Sequence, residues 1–130
     1  MLYTVNNGNT GRPAGCQRDI LHLVTTVATA AGLGRPIAFS NGNAGAFHTE
    51  FFSDLGQLDK LEWDVIKSDD WGGNIRRHSK ASEFLVADSV DWSAVKVVGC
   101  HNEGTAARVR ESLAAAAHVP RIIVRTDWYY

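Results

Sequence analysis

The sequence predicts an α+β fold, a small mixed sheet with two or three helices, in a single domain spanning residues 1–130. Three observations carry this reading. Short apolar runs rich in branched residues recur at 19–25, 36–40, 84–86, 95–101 and 121–125, each of strand length. Between them only 54–66 and 103–117, with a shorter piece at 27–31, carry helical spacing, so strand and helix do not alternate as in a doubly wound sheet. Finally, 130 residues that are 45% hydrophobic suffice for one core and are too few for two ordinary domains.

Taken in order, residues 2–5 have strand character, and 6–15 concentrates Asn, Gly and Pro, the turn formers. Residues 19–25 read as a strand covered in part on both faces, with His22 as a core-edge histidine. A helix over 27–31 is expected to stop at Gly32 and Gly34, because glycine accepts the left-handed backbone of a helix end. The strand at 36–40 then delivers Asn41-Gly42-Asn43-Ala44-Gly45-Ala46 to the surface as a tight loop, Asn-Gly being a strong turn signal. Lacking a Gly-Lys-Ser/Thr ending, this loop is not a phosphate-binding P-loop. Ser53 is placed to cap a helix beginning near Asp54, on which Leu55, Leu58, Leu61 and Val65 share a core-facing stripe. Residues 63–66 form a second short turn.

Residues 68–74 read as a loop that frees the basic segment after it. Trp71 either pins this loop to the body or offers a stacking face. Arg76, Arg77, His78 and Lys80 lead into Glu83 and then directly into the strand Phe84-Leu85-Val86. A cationic loop followed by one acid at a rigid strand edge suits a site that holds a polyanion and acts on something bound beside it. The same pattern also describes a solvated basic loop entering a core strand. Beyond it, 91–94 resembles a helical turn, 95–101 a strand, and Asn102 caps a helix over 103–117 that Pro120 terminates.

Thirteen Lys and Arg against 14 Asp and Glu leave a formal charge of −1, so no global field draws the chain to nucleic acid, and any such binding rests on the local patch of Arg76, Arg77 and Lys80. Cys16 and Cys100 lack Cys-x-x-Cys spacing, as expected of a reduced cytoplasmic chain. No apolar run approaches the ~20 residues of a membrane helix, and the N-terminus lacks a signal-peptide pattern. The five histidines, at 22, 48, 78, 101 and 118, form no metal-ligand spacing, and no metal is expected. Cys100 and His101 are neighbours on a strand and point to opposite faces, which argues against a nucleophile–base pair.

Several words of the sequence together resemble the C-terminal part of the DarT family of DNA ADP-ribosyltransferase toxins. They are Met1-Leu2-Tyr3, then Ile37-Ala38-Phe39-Ser40-Asn41-Gly42-Asn43-Ala44, then Asp54-Leu55 through Leu58-Asp59-Lys60-Leu61-Glu62-Trp63, then Lys80-Ala81-Ser82-Glu83-Phe84-Leu85-Val86, and Asp127-Trp128-Tyr129-Tyr130. They fall in the family's order and span nearly the whole chain. The resemblance implies the C-terminal part of an ADP-ribosyltransferase fold, with Glu83 as the catalytic glutamate and NAD as co-substrate. It implies that Arg76, Arg77 and Lys80 face single-stranded DNA, that Asn43 lines the cleft, and that ADP-ribose is transferred to thymidine bases. It further implies a toxin whose cognate antitoxin is an ADP-ribosyl hydrolase.

The chain begins at the Met-Leu-Tyr word, whereas the family places its His-x-Thr nicotinamide signature and a catalytic arginine upstream of it. The expectation is therefore an N-terminally incomplete domain. The alternative function is a catalytically inactive remnant that binds single-stranded DNA or a protein partner.

Overall fold

The computed structural model describes Val5, Asn7, Gly8, Gly11 and residues 13–129. The strand expected over 2–5 lies, Val5 apart, outside the described residues, as does Tyr130. Among the described residues the strands are β1 (His22–Val24), β2 (Ile37–Ser40), β3 (Phe51–Phe52), β4 (Phe84–Val86), β5 (Val97–Cys100) and β6 (Arg121–Val124). The α-helices are α1 (Val27–Ala31), α2 (Trp63–Lys67), α3 (Asn74–Ser79) and α4 (Glu103–Ser112). Small sheets with few, short helices are the α+β architecture that the sequence predicts. The chain forms two compact units, one of Met1–Thr29 with Asp91–Tyr130 and the other of Ala30–Val90.

In the first unit the strand order is β1-β5-β6. β1 runs antiparallel to β5, with Leu23 opposite Val98, and β5 runs parallel to β6, with Val98 opposite Ile122. A parallel pair needs a crossover, and α4 supplies it. The middle strand is the most buried: Val98 and Cys100 join Val95 and Ala106 in the core, with Val109 and Ile122 packed against them. β1 begins later than expected because Cys16–Asp19 closes into a 3-10 turn, the Ile20 amide donating to the Gln17 carbonyl at 3.0 Å.

Asn102 caps α4 as expected, its side chain accepting from the Thr105 amide at 2.9 Å. The helix nevertheless ends at Ser112, five residues short of the predicted 117. An alanine-rich tail favours helix, but tertiary contacts fix its far end. The Trp92 indole donates to the His118 carbonyl at 2.9 Å, and the His118 ring sits 2.8 Å from the Val95 carbonyl. Thus anchored, the chain enters β6 with Arg121 in register with Val97. At Gly99 the backbone approaches Trp128 so closely that a Cβ would lie 2.4 Å from the indole. Tyr129 closes this end, its hydroxyl donating to the Ile20 carbonyl at 2.8 Å.

The second unit holds an antiparallel sheet of order β3-β2-β4. Phe39, 1% exposed, stands opposite Phe52 on one side and Phe84 on the other, and its ring stacks on both at centroid distances of 5.3 and 6.5 Å. Cross-strand aromatic pairs of this kind specify register as well as stability.

Two expectations for this unit change. The helix expected from Asp54 is divided into a 3-10 turn, Leu55–Lys60, and α2, and Asp54 rather than Ser53 is the cap, accepting from the Gly56 amide at 2.9 Å. The basic segment at 76–80 is not a loop: Arg76, Arg77 and His78 belong to α3 and Lys80 is its C-cap. Gly73, with φ of 79°, turns the chain into this helix from a backbone region that other residues seldom adopt. No helix among the described residues is long and apolar enough to cross a membrane.

Candidate active site

Glu83 occupies the residue before β4, where the strand pairing continues one step: the Ser40 amide donates to the Glu83 carbonyl at 2.9 Å. The Glu83 amide in turn donates to Ser40 Oγ at 3.2 Å, and Ser40 Oγ donates to the Gly42 carbonyl at 2.6 Å. One fully buried hydroxyl therefore uses its proton on the loop and its lone pair on the strand. It ties the end of β2, the following turn and the backbone of the acid into one piece.

That turn also reaches the carboxylate. The Ala44 amide donates to Glu83 Oε2 at 3.1 Å, a hydrogen bond to a charged acceptor. No hydrogen bond among the described residues engages Oε1 of this half-buried side chain. It is free to accept from a bound hydroxyl.

The loop is braced along its length. Asn43 Oδ1 accepts from the Gly45 amide at 2.8 Å, and its carbonyl accepts from the Thr49 hydroxyl at 2.7 Å. Asn43 Oδ1 is thus spent on its own turn, while Asn43 itself is exposed. Asn41 brackets Glu50, donating to Oε2 at 3.2 Å and accepting from the Glu50 amide at 2.9 Å. α3 closes against the loop through His78, whose ring would stand 2.0 Å from a Cβ placed on Gly42. The His48 and His78 rings lie 4.3 Å apart between centroids, tilted by 37°.

The three predicted cations differ in circumstance. Arg77 is exposed and donates from Nε to the Trp71 carbonyl at 3.2 Å. Arg76 is exposed and pairs with Asp70 at 3.2 Å, a surface contact of little energetic weight. Lys80 turns inward: Nζ donates to the Ile66 carbonyl at 3.3 Å and to the Ser68 carbonyl, and lies 4.8 Å from the centre of the Trp71 ring. Trp71 is consequently held by its neighbours while still half exposed.

Ser40, Gly42 and the paired imidazoles were not singled out as site residues in the sequence. The Asn-Gly turn marked where Gly42 would lie, but nothing in the sequence joins position 42 to position 78. A cleft of about 510 Å³ lies in the first unit, lined by Leu21, Leu23, Trp92, Val98, Val109 and Leu113 among others, and contains none of the predicted residues. Its walls are mostly apolar, with the Asp19–Arg108 ion pair at 2.9 Å among the lining residues.

The carboxylate held at a sheet edge by a loop amide, with a cation-bearing helix just before it in sequence, belongs to a small α+β fold. The family model described as ssDNA thymidine ADP-ribosyltransferase, DarT, matches residues 1–130, and the chain belongs to that family. A DNA ADP-ribosyl transferase of Thermus aquaticus is 35% identical over 132 residues, covering 100% of this chain and 58% of the relative. The structure of Thermus sp. 2.9 DarT in complex with NAD+ superposes with a TM-score of 0.93 at 30% identity, covering 99% of this chain and 66% of that one. The same protein in complex with ADP-ribosylated ssDNA gives a TM-score of 0.93, with 63% of its chain covered. The chain thus spans roughly three fifths of the length of these relatives.

Proposed function

We propose that this chain transfers ADP-ribose from NAD to thymidine bases of single-stranded DNA, with Glu83 as the catalytic residue. The observation that carries the reading is the clamped carboxylate: one oxygen of Glu83 is fixed by the Ala44 amide and the other has no hydrogen-bond partner among the described residues. Membership of the DarT family supplies the reaction class.

NAD supplies an ADP-ribosyl group whose bond to nicotinamide breaks with the electron pair leaving on nicotinamide. Positive charge develops on the ribose ring as that bond opens, and a fixed carboxylate stabilises it without having to reorganise. Glu83 Oε1 can hold a ribose hydroxyl in the same contact. Once a thymine nitrogen bonds to the ribose carbon, its proton must leave, and Glu83 is the group suited to receive it. Arg76 and Arg77, exposed on α3, attract the DNA backbone. Family membership further supports a toxin role, with an ADP-ribosyl hydrolase as antitoxin.

The test is incubation with NAD labelled in its ADP-ribose portion and two oligonucleotides, one containing thymidine and one with every thymidine replaced by deoxycytidine. Label on the first alone is the expected result. Label on neither, or on both equally, removes the reading.

A further inference from the structure

We propose that Phe47, with the His48–His78 pair beside it, is a stacking platform for a base of the single-stranded DNA, a role that rests on the substrate class proposed above. Phe47 is 106% exposed, more than any other large hydrophobic side chain among the described residues. It makes no contribution to the core. Yet the turn that carries it is tightly built: the Ala46 amide donates to the Asn43 carbonyl at 2.9 Å and the Thr49 amide to the Ala46 carbonyl at 3.1 Å. A braced turn already holds the backbone that carries the ring, which removes the backbone part of the ordering cost of binding.

Three neighbours give the ring its context. Three residues earlier in the same turn, Ala44 holds the Glu83 carboxylate, so a base docked on Phe47 is presented by the loop that fixes the acid. One residue later, His48 lies 4.3 Å from His78 of α3, centroid to centroid. Neither imidazole forms a hydrogen bond among the described residues. One helical turn before His78 stands Ile75, 78% exposed, and between them are Arg76 and Arg77.

Exposed aromatic and apolar faces interleaved with cations are the pattern by which proteins hold single strands, the bases stacking while the cations follow the phosphates. The structurally similar Thermus sp. 2.9 DarT was solved with ADP-ribosylated ssDNA.

The test is fluorescence anisotropy of a labelled thymidine-containing oligonucleotide titrated with the 130-residue chain. Phe47→Ala should weaken binding about tenfold, and Phe47→Trp should restore it to within about twofold. The melting temperature of both variants should match the parent, because the side chain is outside the core. An oligonucleotide with one abasic position at the stacked nucleotide should bind the parent about tenfold more weakly, and Phe47→Ala should then cost nothing further. If the parent binds and Phe47→Ala binds equally well, the platform is wrong and the proposed reaction stands. Equal losses in Phe47→Ala and Phe47→Trp also overturn stacking. If the parent binds no oligonucleotide, the platform and the proposed function fall together.

Discussion

The Ala44 amide donates a hydrogen bond of 3.1 Å to the Glu83 carboxylate across 39 residues of sequence. The loop after β2 and the edge of β4 are therefore a single device, and disturbing one should be felt at the other. Because an amide oxygen accepts the same bond, Glu83→Gln should keep this contact and fold like the parent. Its stability, read from the urea midpoint, should fall by no more than about 1 kcal/mol, the difference between a charged and a neutral acceptor.

Gly42 has no room for a side chain beside His78. Gly42→Ala should cost about 1–3 kcal/mol, the range for overpacking, and the same substitution in a His78→Ala background should cost less than about 1 kcal/mol. Urea unfolding of the four proteins checks this. An equal cost in both backgrounds would show that the imidazole is not what Gly42 accommodates.

Ser40 bonds the loop and the strand at once. Ser40→Ala leaves the Gly42 carbonyl and the Glu83 amide without the buried hydroxyl, at an expected cost of about 1–3 kcal/mol. Ser40→Cys, which keeps a weaker donor and acceptor, should fall between the two. Denaturant midpoints decide it.

The basic residues should separate by role. If Arg76 and Arg77 each meet one phosphate, replacing both by alanine lowers the slope of log affinity against log salt by about 1.4 for a single strand. Lys80→Ala should instead lower stability by on the order of 1 kcal/mol, since its ammonium is spent on two carbonyls and the Trp71 face. Anisotropy titrations at several salt concentrations, with thermal melts alongside, distinguish the two effects.

Much of this arrangement could be read from the residues. Branched, apolar runs placed the central strands, Asn102 marked the start of α4, and the strand-forming Phe84-Leu85-Val86 put Glu83 at an edge. What escaped reading depended on tertiary contacts. α3 is six residues long, too short for periodicity to announce, and is held from outside by Ser79 donating to Glu62 and Lys80 donating to carbonyls of residues 66 and 68. The inward turn of Lys80 followed from the same contacts. Composition marks a cation but not the carbonyls waiting for it. Likewise, Ser40 and His78 gain their meaning only when β2, β4 and α3 meet.

In the first unit His22 gives the fold a sensitivity to acid. Burial holds its imidazole below the ordinary 6.5, and buried Nε2 lacks a hydrogen-bond partner among the described residues. The unfolded chain therefore takes up the proton first as pH falls. The contribution of neutral His22 is complete above about pH 6.5 and is lost progressively below it, toward the lowered folded-state value. His22→Phe, which preserves an aromatic edge against Trp128 and Tyr129, should flatten that part of the pH–stability curve between about pH 8 and about pH 5. An unchanged curve would assign the acid sensitivity to other groups.

The most direct test of Glu83 as the acting group is transfer of labelled ADP-ribose from NAD to a thymidine-containing oligonucleotide, measured for the parent and for Glu83→Gln at matched DNA binding. Stable label with the parent, and a loss of at least about a hundredfold with Glu83→Gln despite equal oligonucleotide affinity, is the predicted result. Transfer that survives the substitution, or a parent chain that binds the oligonucleotide and transfers nothing, would contradict it.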